Sequence, residues 1–289
     1  MRKLYFQNAA GDRIGLNGQD GIYATSLSGF GFTLNQSFAD LSSGFFPPVT
    51  DVKDPQNTLA FTLVLTGDAY ARHQSLMNWL AAAEKITIVY DPTGSQEYCR
   101  DVVVKFIQKG ELSTAGWLSM PSSFMCTTPW YLPVPATLQI SGFANEGKRY
   151  AFTYDNELRY GPDSDAYMSA ALAGTGHIPG ALEVSLRGAI RSPKLKLVGS
   201  RTGKVIGICS LPITLAETER LEYSSRYENS YVRKVSADGT VTDLLDVLDL
   251  SLTPFFRMPV NEPSTLSVEA DAEFIGSAEL KAYYYFRSV

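Results

Sequence analysis

The 289-residue chain has little histidine, only His73 and His177, and its three cysteines, Cys99, Cys126 and Cys209, lie far apart. No C-x-x-C pair exists, so neither a zinc site nor a redox motif is supported. A metal centre normally draws three or four ligands, often rich in imidazole, and neither histidine has a close acidic or cysteine partner in sequence. The odd, scattered thiols read as reduced cysteines of a protein made in a cytoplasm. No basic n-region followed by an apolar h-region opens the chain, so a secretory signal is not expected. No run approaches the ~20 apolar residues of a membrane span, so membrane insertion is not expected. G-x-S-x-G, H-E-x-x-H and P-loop patterns are absent. Gly29-Phe30-Gly31 begins like a dinucleotide fingerprint, but Leu34 stands where its third glycine belongs. The segment reads instead as a strand whose aromatics pack inward while the glycines permit close approach. Together these absences point away from an enzyme and leave no candidate catalytic, cofactor-binding or metal-binding residue.

Charge excludes a further class. The formal net charge is −5, and residues 1–132 carry 9 basic and 11 acidic groups against 16 and 19 in residues 133–289. Neither half has a basic field, so nucleic acid binding has no electrostatic support.

What the chain does have is aromatic and apolar mass. Hydrophobic residues make up 45%, which suffices for a large core and argues against disorder. The 16 Tyr and 15 Phe favour half-buried pleated sheet. The length suits two domains. Strands are expected at Lys3–Phe6, Ile22–Leu27, Phe61–Leu65, Ile86–Tyr90, Arg100–Gln108 and Trp117–Cys126. One helix is expected from about Asp68, its cap, to Ala83, with Leu76, Leu80 and Ala83 on one apolar face beside Trp79. Asn35–Asn57 contains Gly44, Pro47, Pro48 and Pro55 and reads as an irregular segment. Its Phe38, Phe45 and Phe46 argue for docking on something. In the second half, hairpins are expected around Asp155-Asn156 and around Asp238-Gly239. The ending from Pro254 reads as strand, turn at Pro259–Pro263, strand, turn and a final strand over Ala278–Arg287.

The most informative stretch is GWLSMPSSFMCTTPWYL. Trp117, Leu118, Met120, Phe124 and Met125 give an apolar strand, and Pro129 should stop regular structure. Trp130 and Tyr131 then stand as large anchors at a seam before Pro133 and Pro135. This corner resembles the one closing the N-terminal domain of distal tail proteins of siphovirus-type phages. The N-terminal MRKLYFQNAAGDRIGLNGQDGIYATSLSGFGF and the strand–helix–strand of Leu59–Tyr90 support that resemblance.

The resemblance implies a mainly β, two-domain protein. Residues 1–132 would be a barrel- or sandwich-like tail domain with one helix, and residues 133–289 a galectin-like, carbohydrate-module-like jelly roll. It implies a non-enzymatic virion protein at the phage tail tip, assembled in the bacterial cytoplasm. Six copies would form a ring joining the tail tube protein to the tail-tip hub, in some members with receptor-binding proteins. The ring contact is expected at Phe38, Phe45, Phe46, Pro47 and Pro48, and the domain-seam anchors at Pro129, Trp130 and Tyr131. The alternative is a carbohydrate-binding or glycosidase-associated β module. All three tryptophans precede Pro133, however, so the second half offers only Tyr and Phe platforms. Glu269, Asp271 and Glu273 read as a solvated strand face, and Asp243, Asp246 and Asp249 as the polar edge of an amphipathic segment.

Overall fold

A computed structural model describes residues 2–31, 35–38, 49–53, 57–140, 167–270 and 275–289. The protein is mainly β, as the aromatic-rich, turn-punctuated sequence implies. Two compact units emerge. The first holds Met1–Leu132 together with Phe286–Val289, and the second holds Pro133–Tyr285. The last four residues therefore join the first unit, where the Phe286 ring meets Tyr98 edge-on at 5.3 Å.

The first unit comprises β1 (Lys3–Gln7), β2 (Arg13–Gly15), β3 (Ile22–Ser28), β4 (Asn35–Phe38), β5 (Val49–Lys53), β6 (Thr58–Leu65), α1 (Ala69–Ala82), β7 (Ile86–Asp91), β8 (Tyr98–Ile107), β9 (Leu118–Cys126) and the start of β10 (Trp130–Thr137). Antiparallel pairing runs β2-β1-β7-β8-β9-β6-β3. The sheet then closes on itself. Leu16 N–H donates to the Leu4 carbonyl at 2.9 Å, and Ala24 N–H donates to the Leu16 carbonyl at 2.9 Å. Alternation explains the core. In β6, TLAFTLVL, Leu59, Phe61, Leu63 and Leu65 are buried and the residues between them point outward. Phe124 of β9 lies 4.9 Å from Phe61 and 5.3 Å from Phe6, centroid to centroid. The helix begins as its capping residue requires, with Asp68 Oδ1 accepting from Ala71 N–H at 3.1 Å. It packs Leu76, with Trp79, Leu80 and Ala83, on the same core.

Three expectations need correction. Asn35–Asn57 is not irregular throughout, because β4 and β5 pair as a separate two-stranded ribbon. Neither strand contains a proline, so nothing within them blocks pairing. Regular structure does not end at Pro129. Strand β9 ends at Cys126, but β10 starts at Trp130 and runs through Pro133 and Pro135, whose fixed φ suits extended backbone. Finally, the strand expected from Trp117 starts one residue later, at Leu118; Trp117 and Met125 are 56% and 37% exposed, while Leu118, Met120 and Phe124 are buried.

The second unit comprises β11 (Gln139–Ile140), β12 (Tyr167–Leu172), β13 (Ile178–Arg191), β14 (Lys194–Gly199), β15 (Val205–Ser210), β16 (Thr214–Leu215), β17 (Arg220–Ser225), β18 (Ser230–Val235), β19 (Val241–Asp243), β20 (Ser264–Glu269) and β21 (Ile275–Phe286). One antiparallel sheet runs β11-β12-β20-β14-β15, and the other runs β21-β13-β17-β18-β19. Inward alternation recurs, as in Leu195 and Leu197 or Leu266 and Val268. The Asp238-Gly239 turn forms, with Gly239 alone at positive φ (+86°) and Ser236 N–H donating to the Thr240 carbonyl at 2.9 Å. Asp249 caps a short 3-10 turn, accepting from Ser251 N–H, and Asp243 just ahead of another accepts from Leu245 N–H. The hairpin expected at Asp155-Asn156 lies outside the described residues, as do Asp271 and Glu273.

Candidate functional site: the strand corner of the first unit

The chain carries two adjacent charges into the interior at the start of β8. Arg100 is 4% exposed and Asp101 is 3% exposed. Asp101 is held from three sides. Its Oδ1 accepts from Thr87 Oγ1 at 2.7 Å and from the Tyr131 hydroxyl at 2.8 Å. Its Oδ2 lies 2.6 Å from Lys85 Nζ. The backbone is tied down as well. Asp101 N–H donates to Thr128 Oγ1 at 3.0 Å, and Thr127 N–H donates to the Asp101 carbonyl at 2.9 Å. Removing a carboxylate from water is costly, and these charge-assisted bonds offset that cost.

Arg100 turns the other way. Its Nε donates to the Thr128 carbonyl at 3.0 Å, and its guanidinium lies 5.4 Å from the Trp130 ring centroid. Burial pulls its pKa below the usual guanidinium value. Trp130 is fully buried, with Phe30 at 5.4 Å and Tyr90 at 6.1 Å from it. Phe30 reaches this position because Gly29 adopts φ +83°, where a Cβ would strike the Thr58 carbonyl oxygen. Thus the glycine–aromatic element is a packing device. Arg100 Nη1 and Trp130 Nε1 are buried without a hydrogen-bond partner among the described residues.

The corner therefore brings Trp130 and Tyr131 together with residues the sequence reading missed. Arg100, Asp101, Thr87, Lys85, Thr127 and Thr128 complete it. The available signal was the Arg-Asp pair opening the otherwise apolar run RDVVVKFIQ. Pro129 sits between the two strands and is half-buried. The other candidates are elsewhere. Phe38 ends β4, its side chain lies outside the described residues, and so do Phe45, Phe46, Pro47 and Pro48. His73 lies on α1, where burial and then Lys109 lower its pKa. His177 is exposed in a loop of the second unit.

Chemically the corner is a clamp. Both Asp101 oxygens are engaged, and Cys126 nearby is a buried thiol whose pKa burial raises. Among the described residues, no group of three His, Cys, Asp or Glu is placed to hold a metal ion. No helix among them is long and apolar enough to cross a membrane.

Residues 3–127 match the family described as distal tail protein, N-terminal domain. The matched span ends at Thr127, inside this corner. No curated protein matches the chain. Among solved structures, a chain of the phage P2 baseplate in its activated conformation with Ca is similar over 100% of both chains, at 15% identity and TM-score 0.67. The SPP1 Dit protein is similar over 97% of this chain and 99% of its own, at 10% identity and TM-score 0.58. That protein is described as a paradigm of hub adsorption apparatus in phages infecting Gram-positive bacteria. Such identities show a shared fold. The sequence resemblance to distal tail proteins is thus met by a family match across the first unit.

Proposed function

We propose that this protein, built on a distal tail N-terminal domain, is the distal tail protein of a phage or prophage. It is a structural, non-enzymatic subunit. Six copies form a ring that joins the tail tube to the tail-tip hub and carries host-adsorption proteins. The observation carrying this reading is the family match over residues 3–127 combined with a fold shared over 97% of the chain with SPP1 Dit. The second unit is a galectin-like module, and Pro129, Trp130 and Tyr131 are the structural anchors where the first unit ends. The β4–β5 ribbon is the arm that reaches a neighbouring copy, with Phe38, Phe45, Phe46, Pro47 and Pro48 as its contact residues.

Light scattering on the purified protein tests the ring. Six times 31.7 kDa gives a particle of about 190 kDa. A monomer that persists at high concentration in low salt overturns it. The arm has its own test. Among the described strands, β4 and β5 pair only with each other, so their loss breaks no ladder of the barrel. Loop closure by a shorter linker costs little. Replacing residues 35–56 with a short Gly-Ser linker should preserve far-UV dichroism and dissolve the ring. An unfolded product assigns the ribbon to its own domain's core, and an unchanged ring assigns it another task.

A further inference from the structure

Strands β3, β6, β9 and β8 lie side by side, and register fixes which outward residues are neighbours. One row holds Tyr23, Val64 and Ser119, and the next Thr25, Thr62 and Pro121. A third holds Ser28, Ala60, Ser123 and Phe106, and a fourth Thr58, Met125 and Val103. Trp117 continues the outward side of β9, two residues before Ser119. None of these side chains carries a charge at neutral pH; Lys105, the extra residue at the β8 bulge, is the nearest cation in sequence. Ser123 is buried and Ala60 and Val64 are half-buried, while the larger side chains reach solvent. Val103 and Trp117 are 56% exposed, Phe106 46% and Tyr23 43%.

The lack of charge is written into the chain. No charged residue occurs between Asp20 and Asp40, between Asp54 and Asp68, or between Glu111 and Glu146. Inward residues of a strand need no charge, but a solvated outward face ordinarily carries about a quarter to a third charged residues. Rows without them, bearing an exposed Trp, Tyr and Phe and with exposed Lys105 beside them at the β8 bulge, have the composition of an interface core.

We infer that this outward face of β3–β6–β9–β8 is a contact surface for a second copy of the chain. The sign of the charge selects the occupant. Each copy carries −5, so copies repel wherever their charged surfaces meet. A different partner could be recruited by opposite charge, whereas identical acidic chains associate best through surface that carries none. The face also adjoins the inserted ribbon, since Ser28 and Thr58 are the last and first face residues on either side of that insertion. The inference rests on the ring reading and names one of the two dissimilar surfaces such a head-to-tail contact requires.

The test places charge on the face without touching the core. Thr62→Glu with Ser119→Glu is one variant, and Val103→Lys with Trp117→Ala is the second, which avoids the central strand β6. Light scattering and thermal melting are measured for both and for a control, Leu250→Glu, at a 73% exposed position of the second unit. The expected result is loss of assembly to 31.7 kDa in the face variants, with monomer melting and dichroism unchanged and the control still assembled. A photo-crosslinker on Ser119→Cys should also join copies, and one on Leu250→Cys should not. If the wild type assembles and the face variants assemble equally, the contact is overturned and the ring stands. A wild type that is monomeric overturns both. Should one variant misfold, the other variant and the crosslink decide.

Discussion

Trp117 and Trp130 flank the same short stretch of chain and have opposite fates. Trp130 is fully buried against Phe30, Tyr90 and Arg100, while Trp117 stands 56% exposed. Residue type does not separate them; position does. Trp117 shares strand parity with Ser119, Pro121 and Met125, the exposed residues of β9. Trp130 begins a new strand after Pro129, and the Asp101 clamp holds its neighbour Tyr131 inward. One tryptophan thus serves the stability of the subunit, and the other is free to serve a surface.

The largest expected effect breaks the buried side of this comparison. Trp130→Ala removes a fully enclosed indole, a change that costs about 3–5 kcal/mol at packed sites. Its melting temperature should fall clearly, on the order of 10 °C or more for a domain of this size. A melting curve matching wild type would make its role as a structural anchor untenable.

Next comes the clamp. Asp101→Ala strips the acceptor from Thr87 Oγ1 and the Tyr131 hydroxyl, both within the interior. Each stranded buried hydroxyl costs about 1–3 kcal/mol. Lys85 is half-exposed and can turn to water, so its share is small. A loss of about 2–4 kcal/mol in urea unfolding is expected, and Asp101→Asn, which keeps one acceptor, should lose less. If Asn proves as damaging as Ala, charge matters here more than hydrogen bonding does.

Much of this was legible in the sequence, and the boundary of legibility is physical. The helix and its Asp68 cap were readable because a carboxylate at the first turn and apolar residues at helical spacing state both its start and its buried face. The barrel strands were readable from alternation in segments such as TLAFTLVL. The apolar run Trp117–Met125 marks the strand, but it does not by itself say which side faces the core, and Trp117 proves to be exposed beside buried Leu118. The ribbon was missed because prolines at 47, 48 and 55 were allowed to speak for Asn35–Phe38 and Val49–Lys53, which contain none. The Arg100–Asp101 clamp was not legible, because its partners come from Lys85, Thr87 and residues 127–131, which only the tertiary fold brings together.

A smaller effect concerns the second unit, whose interior carries a thiol in place of a clamp. Burial pushes the Cys209 thiol from 9.0 up to about 12. The folded pKa is raised, so the contribution to stability is full below pH 9.0 and is lost as pH climbs from there through about 12. The unfolded chain releases the proton first, which pulls the equilibrium toward unfolding. Wild type should therefore lose more stability between about pH 8 and about pH 11 than Cys209→Ala does. Urea midpoints at the two pH values measure this, and equal losses in both proteins would show that Cys209 does not titrate across unfolding.

The smallest effect belongs to the exposed tryptophan, and it sharpens the comparison because so little is expected. Trp117 already meets water on much of its surface, so truncation forfeits little buried area. Its backbone N–H accepts no change, since it donates to Ser113 Oγ at 3.0 Å whatever side chain follows. Surface substitutions away from caps, cavities and ion pairs stay within about ±0.5 kcal/mol. Trp117→Ala in the dissociated subunit should therefore melt within about 2–3 °C of wild type, while Trp130→Ala falls far below both. Differential scanning calorimetry on dilute protein separates the two in a single experiment. A large loss for Trp117→Ala in the monomer would mean that the hairpin tip folds back on its own unit, and the outward parity of β9 would no longer explain why this tryptophan is there.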